Sequence, residues 1–162
     1  MFNNKKSVGL SHVIALFSLF FLMKAEADVL TFSSSFQRVG PGQTLIQGEY
    51  ALTSSASQSY GGIVWSSENG GCLFCAETAV TLQRADGGYF TFNSVQHHAT
   101  GWSTVTWTGY RNGSPIASDS FGSIIGNHFS TTYTASTLSN VRIDKLVLSF
   151  SGGGVPYTDN IT

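Results

Sequence analysis

The residues with chemical capacity are few and widely spread along the chain. Cys72-Leu73-Phe74-Cys75 forms a C-x-x-C pair. A thiol–disulfide redox role needs such a pair at a helix N-terminus in a βαβ setting, where the thiolate is stabilised. Here the pair stands between the glycine-rich run SENGG and a strand-like segment. A zinc role needs four ligands, and the soft donors elsewhere in the folded part are His97, His98 and His128. His97 and His98 follow a strand, where neighbours face opposite sides, so they do not chelate one ion together. In an oxidising compartment the two cysteines read as a local disulfide stapling a loop. Its entropic effect is modest because so short a loop is closed.

Two further chemistries are open to inspection. Glycoside hydrolysis needs a pair of carboxylates separated by roughly 5–10 Å. Glu49, Glu68, Glu77, Asp86, Asp119 and Asp144 are scattered without a telling spacing, and no G-x-S-x-G nucleophile elbow occurs. Stacking on the C–H face of a pyranose needs an exposed aromatic ring. Trp65, Trp102, Trp107, Tyr60, Tyr89, Tyr110 and Tyr133 supply the rings, though most such residues build cores. Trp107 shares a strand face with Val105 and is expected inside. Trp102 and Tyr110 lie at strand ends and, with Tyr60, are the candidates for ligand contact.

The elements that must position these residues are strands. Trp102 to Tyr110 alternates, with Val105 and Trp107 on one face and Thr104, Thr106, Thr108 and Tyr110 on the other. That period of two marks a half-buried strand. Asn112-Gly113 is a strong hairpin signal. Glu77 to Arg84 alternates Ala79 and Thr81 against Val80 and Leu82, and Ala85 to Gly88 (ADGG) reads as a hairpin turn into Tyr89–Gln96, where Phe90 and Phe92 share a face. Ile143 to Phe150 places Leu146, Leu148 and Phe150 together. Asp28–Phe36 reads as an edge strand, Gln37–Gly48 as a Gly/Pro loop, and Tyr60–Ser66 and Phe129–Thr134 as further strands. No window after the first 27 residues holds a helical period. Ten or so short strands with Gly/Asn/Asp turns predict an all-β fold, an antiparallel β-sandwich of jelly-roll type.

The start of the chain reads as an export signal. Lys5 and Lys6 precede an apolar run from Val13 to Met23, and Ala25-Glu26-Ala27 supplies small residues for cleavage. Residues 1–27 are thus expected to be a secretory signal peptide and 28–162 a single domain, secreted or periplasmic, with a sizeable core. The run is shorter than the ~20 residues a membrane span takes, and no second hydrophobic segment follows. The domain has five basic residues (Arg38, Arg84, Arg111, Arg142, Lys145) against eight acidic ones, a formal charge of −3. With no basic patch in the sequence, nucleic acid and anionic membranes are poor partners.

Several segments, in this order, resemble bacterial exported β-sandwich proteins of the PEP-CTERM-associated type: YGGIVW at 60–65, GGYFTFNSV at 87–95, VTWTGYRNGSPIAS at 105–118, LVLSFSGGG at 146–154 and DNIT at 159–162. The resemblance spans most of residues 28–162. It departs from the pattern at Cys72 and Cys75, and no sorting signal is expected after Thr162. A looser likeness joins the ending to jelly-roll carbohydrate-binding modules. That likeness implies a structural calcium bound through Asp159, with Asn160 beside it. Calcium takes six to eight oxygens, several commonly from backbone. The expectation is a non-catalytic module binding an extracellular glycan or cell-surface polymer. A structural or matrix protein without a small ligand is the alternative, and a polysaccharide hydrolase is a lesser one.

Overall fold

A computed structural model of the chain describes residues 29–30, 38–39, 42–55, 63–66, 72–75, 79–99, 101, 103–122, 132–152 and 156–162, with backbone alone at 38–39, 63–66, 72–75, 98–99 and 156–157. The expected signal peptide, Tyr60 and Trp102 lie outside these residues. Among them the chain forms twelve strands and no helix. They are β1 (Arg38–Val39), β2 (Thr44–Gln47), β3 (Tyr50–Ser54), β4 (Ile63–Ser66), β5 (Cys72–Cys75), β6 (Ala79–Arg84), β7 (Ser94–Ala99), β8 (Ser103–Arg111), β9 (Ser114–Phe121), β10 (Thr132–Thr134), β11 (Lys145–Gly152) and β12 (Pro156–Asp159).

All pairings are antiparallel, in two six-stranded sheets ordered β1-β4-β5-β12-β7-β10 and β2-β3-β6-β11-β8-β9. The sheets form a β-sandwich. From β5 onward the pairs nest: β5 with β12, β6 with β11, β7 with β10 and β8 with β9. The inner pair is the hairpin at Asn112-Gly113, where both residues take positive φ (51° and 79°), as a type I′ turn requires. Each outer pair joins strands ever farther apart in sequence.

The expected alternation sets the core. Val105 and Trp107 of β8, Val80 and Leu82 of β6, Leu146 and Leu148 of β11 and Leu52 of β3 are buried from one sheet. Val95 of β7 and Ile161 beyond β12 meet them from the other. Phe92 and Trp107 cross between the layers at 4.3 Å ring to ring, and Phe121 of β9 touches both Trp107 (5.1 Å) and Tyr133 of β10 (4.8 Å). Phe90 and Phe92 share the buried side as expected, and Phe150 packs against the same core. Gly109 fits here because it has no side chain. A Cβ there would stand 2.5 Å from Leu138 and 2.8 Å from Ile143.

Two local expectations need correcting. The Gln37–Gly48 stretch is not simply a loop, because it contains β1 and β2, and β2 turns back on β3 through Gly48-Glu49. The ADGG segment turns, with Gly87 at φ 74° and the Asp86 carboxylate accepting Gly88 N–H at 2.8 Å. It does not close a hairpin, because β6 and β7 belong to different sheets. The turn chemistry serves a crossover as well as a hairpin, and the burial of Phe90 and Phe92 carries the chain across.

Candidate binding cleft

The outward face of the second sheet is rich in hydroxyls. Its pairing lines up Thr44, Thr53, Thr81, Val147, Thr108 and Ser118 in one row across six strands. A second row holds Ala79, Ser149, Thr106 and Ser120. The hydroxyls partner one another: Thr44 with Thr53 (2.8 Å), Thr106 with Ser120 and Thr108 with Ser118 (both 2.9 Å). Tyr110 is the aromatic ring of β8 on this side. It is half-buried at the sheet end, with the Lys145 ammonium 4.3 Å from its centroid. Among the described residues this face holds no row of aromatic rings.

At that same end the loops converge. A cleft of about 550 Å³ is lined by Tyr89, Arg111, Asn140, Val141 and Arg142. Tyr89 comes from the β6–β7 connection, Arg111 from the β8–β9 hairpin, and the other three from the β10–β11 connection. Tyr89 is 42% exposed, and the Arg142 guanidinium lies 5.2 Å from its ring centroid, within cation–π range. Tyr89 Oη donates to Asn112 Oδ1 at 3.4 Å. Arg111 donates through Nε (2.8 Å) and Nη2 to the carbonyl of Arg142. Asp144 N–H donates to the Tyr110 carbonyl at 3.0 Å. The Asp144 carboxylate accepts Asn112 N–H at 2.6 Å. The sequence shows no basic patch, but the fold makes a small one, because the β8–β11 pairing brings together two arginines 31 positions apart.

The wall carrying Asn140–Arg142 is anchored by a buried carboxylate. Asp119 of β9 is 7% exposed and lies opposite Trp107 in the ladder. It accepts Ser136 Oγ–H at 2.5 Å and the backbone N–H groups of Ser136 (3.2 Å), Thr137 (3.1 Å) and Leu138 (3.0 Å). Thr137 Oγ1 adds a bond to the Ser118 carbonyl at 2.7 Å. Burial alone would raise the Asp119 pKa. The bonds from Ser136, Thr137 and Leu138 outweigh it and hold the carboxyl below its ordinary value. Beyond this anchor Asn140 turns the chain at φ 63°, a conformation asparagine tolerates. On the neighbouring β6 end, Arg84 pairs with both Glu49 and Asp86 at 2.8 Å. The bond from Arg84 is the main cause that holds Asp86 at about 2.

The remaining sequence candidates fall elsewhere. Asp159 is 8% exposed, and its Oδ1 accepts Asn160 N–H at 2.8 Å. Asn160 Nδ2 donates to Gln96 Oε1 at 2.7 Å. Ile161 enters the core and exchanges backbone bonds with Leu30, while Thr162 pairs with Ser94. The ending therefore seams β7, β12 and the Leu30 bridge together. Asp159 and Asn160 supply a small part of the six to eight oxygens calcium takes, and no cluster of three or more His, Cys, Asp or Glu occurs among the described residues. The side chains of Cys72 and Cys75 lie outside the described residues. Their backbone is not a loop but β5, paired from Ile63↔Cys75 to Ser66↔Cys72. Positions i and i+3 of an extended strand stand roughly 10 Å apart at Cα, beyond the ~7 Å reach of a disulfide. A 72–75 bridge is incompatible with β5 in this form.

No protein-family model matches the sequence, and no curated protein matches it either.

Proposed function

We propose that this chain is an exported, non-catalytic carbohydrate-binding module of jelly-roll form that engages an extracellular glycan through the loop-end cleft. The nested pairing β5·β12, β6·β11, β7·β10 and β8·β9 supports the jelly roll, because it is what rolling up one long eight-stranded hairpin produces. The observation that carries the binding reading is the cleft. It sets a 42% exposed tyrosine ring, an asparagine amide and two guanidinium groups around one concavity. A few convergent polar groups beside an aromatic surface make up a small-ligand or sugar site. Each described carboxylate near it is engaged: Glu49 and Asp86 with Arg84, Asp119 with the 136–138 backbone, Asp144 with Asn112 N–H. None stands opposite another across the cleft lining, which is the arrangement hydrolysis would need.

The test is affinity electrophoresis and calorimetry against a panel of soluble polysaccharides. Tyr89→Ala is expected to weaken binding about tenfold while leaving the melting temperature in place, as the ring contributes stacking of order 1 kcal/mol. Absence of binding to every polymer in the panel would reject the module and favour the structural or matrix role.

A further inference from the structure

We infer that the ligand of this cleft is an anionic polysaccharide, recognised through carboxylate or sulfate oxygens by Arg142 with Arg111 behind it. The inference rests on the glycan-binding reading above and narrows it. Arg84, on the neighbouring strand end, has two acidic partners at 2.8 Å. Arg111 and Arg142 line the cleft, and among the described residues neither has a carboxylate within ion-pair distance. The nearest acid in sequence, Asp144, directs its carboxylate to Asn112 N–H at 2.6 Å. Two like charges without an ion-pair partner around 550 Å³ repel each other, and an anion placed between them lowers that cost.

The geometry also holds the donors ready. Arg111 is oriented by its two bonds to the Arg142 carbonyl, which leave its remaining amino group unassigned. Arg142 sits over the Tyr89 ring. Cation–π attraction to the ring does not consume the guanidinium N–H groups, whose planar fork is matched to carboxylate or sulfate. Lys145, over Tyr110, adds a third cation at this end. Residues 28–162 are nevertheless net acidic at −3, so the long-range field does not gather polyanions. Recognition has to be local, and few counterions are released.

The experiment uses the chain lacking residues 1–27 and two matched pairs of polymers: polygalacturonate against its methyl ester, and dextran sulfate against dextran. Single-stranded DNA is the polyanion that is not a polysaccharide. At least one charged polymer is expected to bind about tenfold more tightly than its neutral counterpart, with a log–log salt slope of about −1 to −2 for two neutralised charges. Arg142→Gln is expected to remove about tenfold of that affinity at unchanged melting temperature. Arg142→Lys should recover part of it, because a point charge lacks the fork. Binding confined to the uronate or to the sulfate pair identifies the recognised group. Equal affinity for charged and neutral partners, indifferent to Arg142→Gln, overturns the anionic inference and leaves the glycan module standing. No binding to either charged polymer overturns the anionic inference, whereas the glycan module falls only if the wider panel also fails. DNA binding as strong as the best sugar overturns the inference too, since only charge would then be read.

Discussion

Replacing Asp119 with asparagine removes one charge and keeps the shape of the side chain, so it isolates what the buried carboxylate does. Four donor groups converge on it: three backbone N–H groups and Ser136 Oγ–H. An asparagine offers one oxygen and turns an NH₂ group toward donors. Ser136 and Thr137 are exposed and can turn to water, whereas Leu138 N–H is buried against the core. A buried donor left unsatisfied costs about 1–3 kcal/mol, and each lost charge-assisted bond adds something less when water replaces it. The sum is about 2–4 kcal/mol, or a melting temperature lower by roughly 10 °C for a domain of this size. The pH dependence supplies a second readout. The folded carboxyl lies below its ordinary value of 3.8. Its stabilisation is therefore fully present above the unfolded pKa and is lost as pH falls through the folded one. Urea melts of the two proteins should differ by a constant amount from pH 7 to about 5 and converge below about pH 4. A difference under about 0.5 kcal/mol at neutral pH, or one that persists undiminished into acid, would show that Asp119 is not the anchor.

Other expectations are independent of the first. Gly109→Ala should destabilise by about 1–3 kcal/mol through overpacking, because the new Cβ meets Leu138 and Ile143. Combined with Leu138→Ala, which alone should cost about 2–5 kcal/mol, the penalties should sum to less than their total, and strict additivity in chemical melts would contradict the contact. Cys72 and Cys75 are expected not to bond to each other. Mass spectrometry after alkylation without reductant should find no intramolecular 72–75 bridge, and finding one would mean that β5 does not form. Chelation with EDTA is expected to leave the melting temperature unchanged, since Asp159 and Asn160 are already engaged with Asn160 N–H and Gln96. A fall of more than about 2 °C would restore the calcium site.

What could be read from sequence follows from how local each signal is. The β8–β9 hairpin was legible because Asn112-Gly113 accepts the positive φ of a tight turn and β8 before it alternates in burial from Ser103 to Tyr110. Leu146, Leu148 and Phe150 were legible for the same reason. β2 was not, because an edge strand with exposed Thr44 and Ile46 buries too little to show a period. The turn at 85–88 was legible as a turn but not as a crossover, since the Asp86–Gly88 bond is the same in either case. The cleft was invisible. Its residues come from three connections, and only the register Tyr110↔Lys145 brings Arg111 beside the 140–142 loop. Asp119 looked like one scattered acid among several, and its role depends on donors 17 to 19 residues away.

That division also decides between the two surfaces on which a glycan could rest. The hydroxyl-rich face of the second sheet resembles a sugar platform in composition. Its threonines and serines, however, already bond across the strands, which commits one donor of each pair, and the remaining capacity of these exposed hydroxyls is open to water, so a ligand hydroxyl exchanges with solvent. Such an exchange is close to neutral in free energy. The cleft is different in kind. Arg111 is held by its bonds to the Arg142 carbonyl and Arg142 by the Tyr89 ring, and among the described residues no acid lies within ion-pair distance of either. A ligand anion there gains without displacing an internal partner. Affinity should therefore respond to Arg142 and Tyr89 and be indifferent to Thr106→Ala or Thr108→Ala on the face. If the threonine substitutions weaken binding and Arg142→Gln does not, the face is the site and the cleft is not.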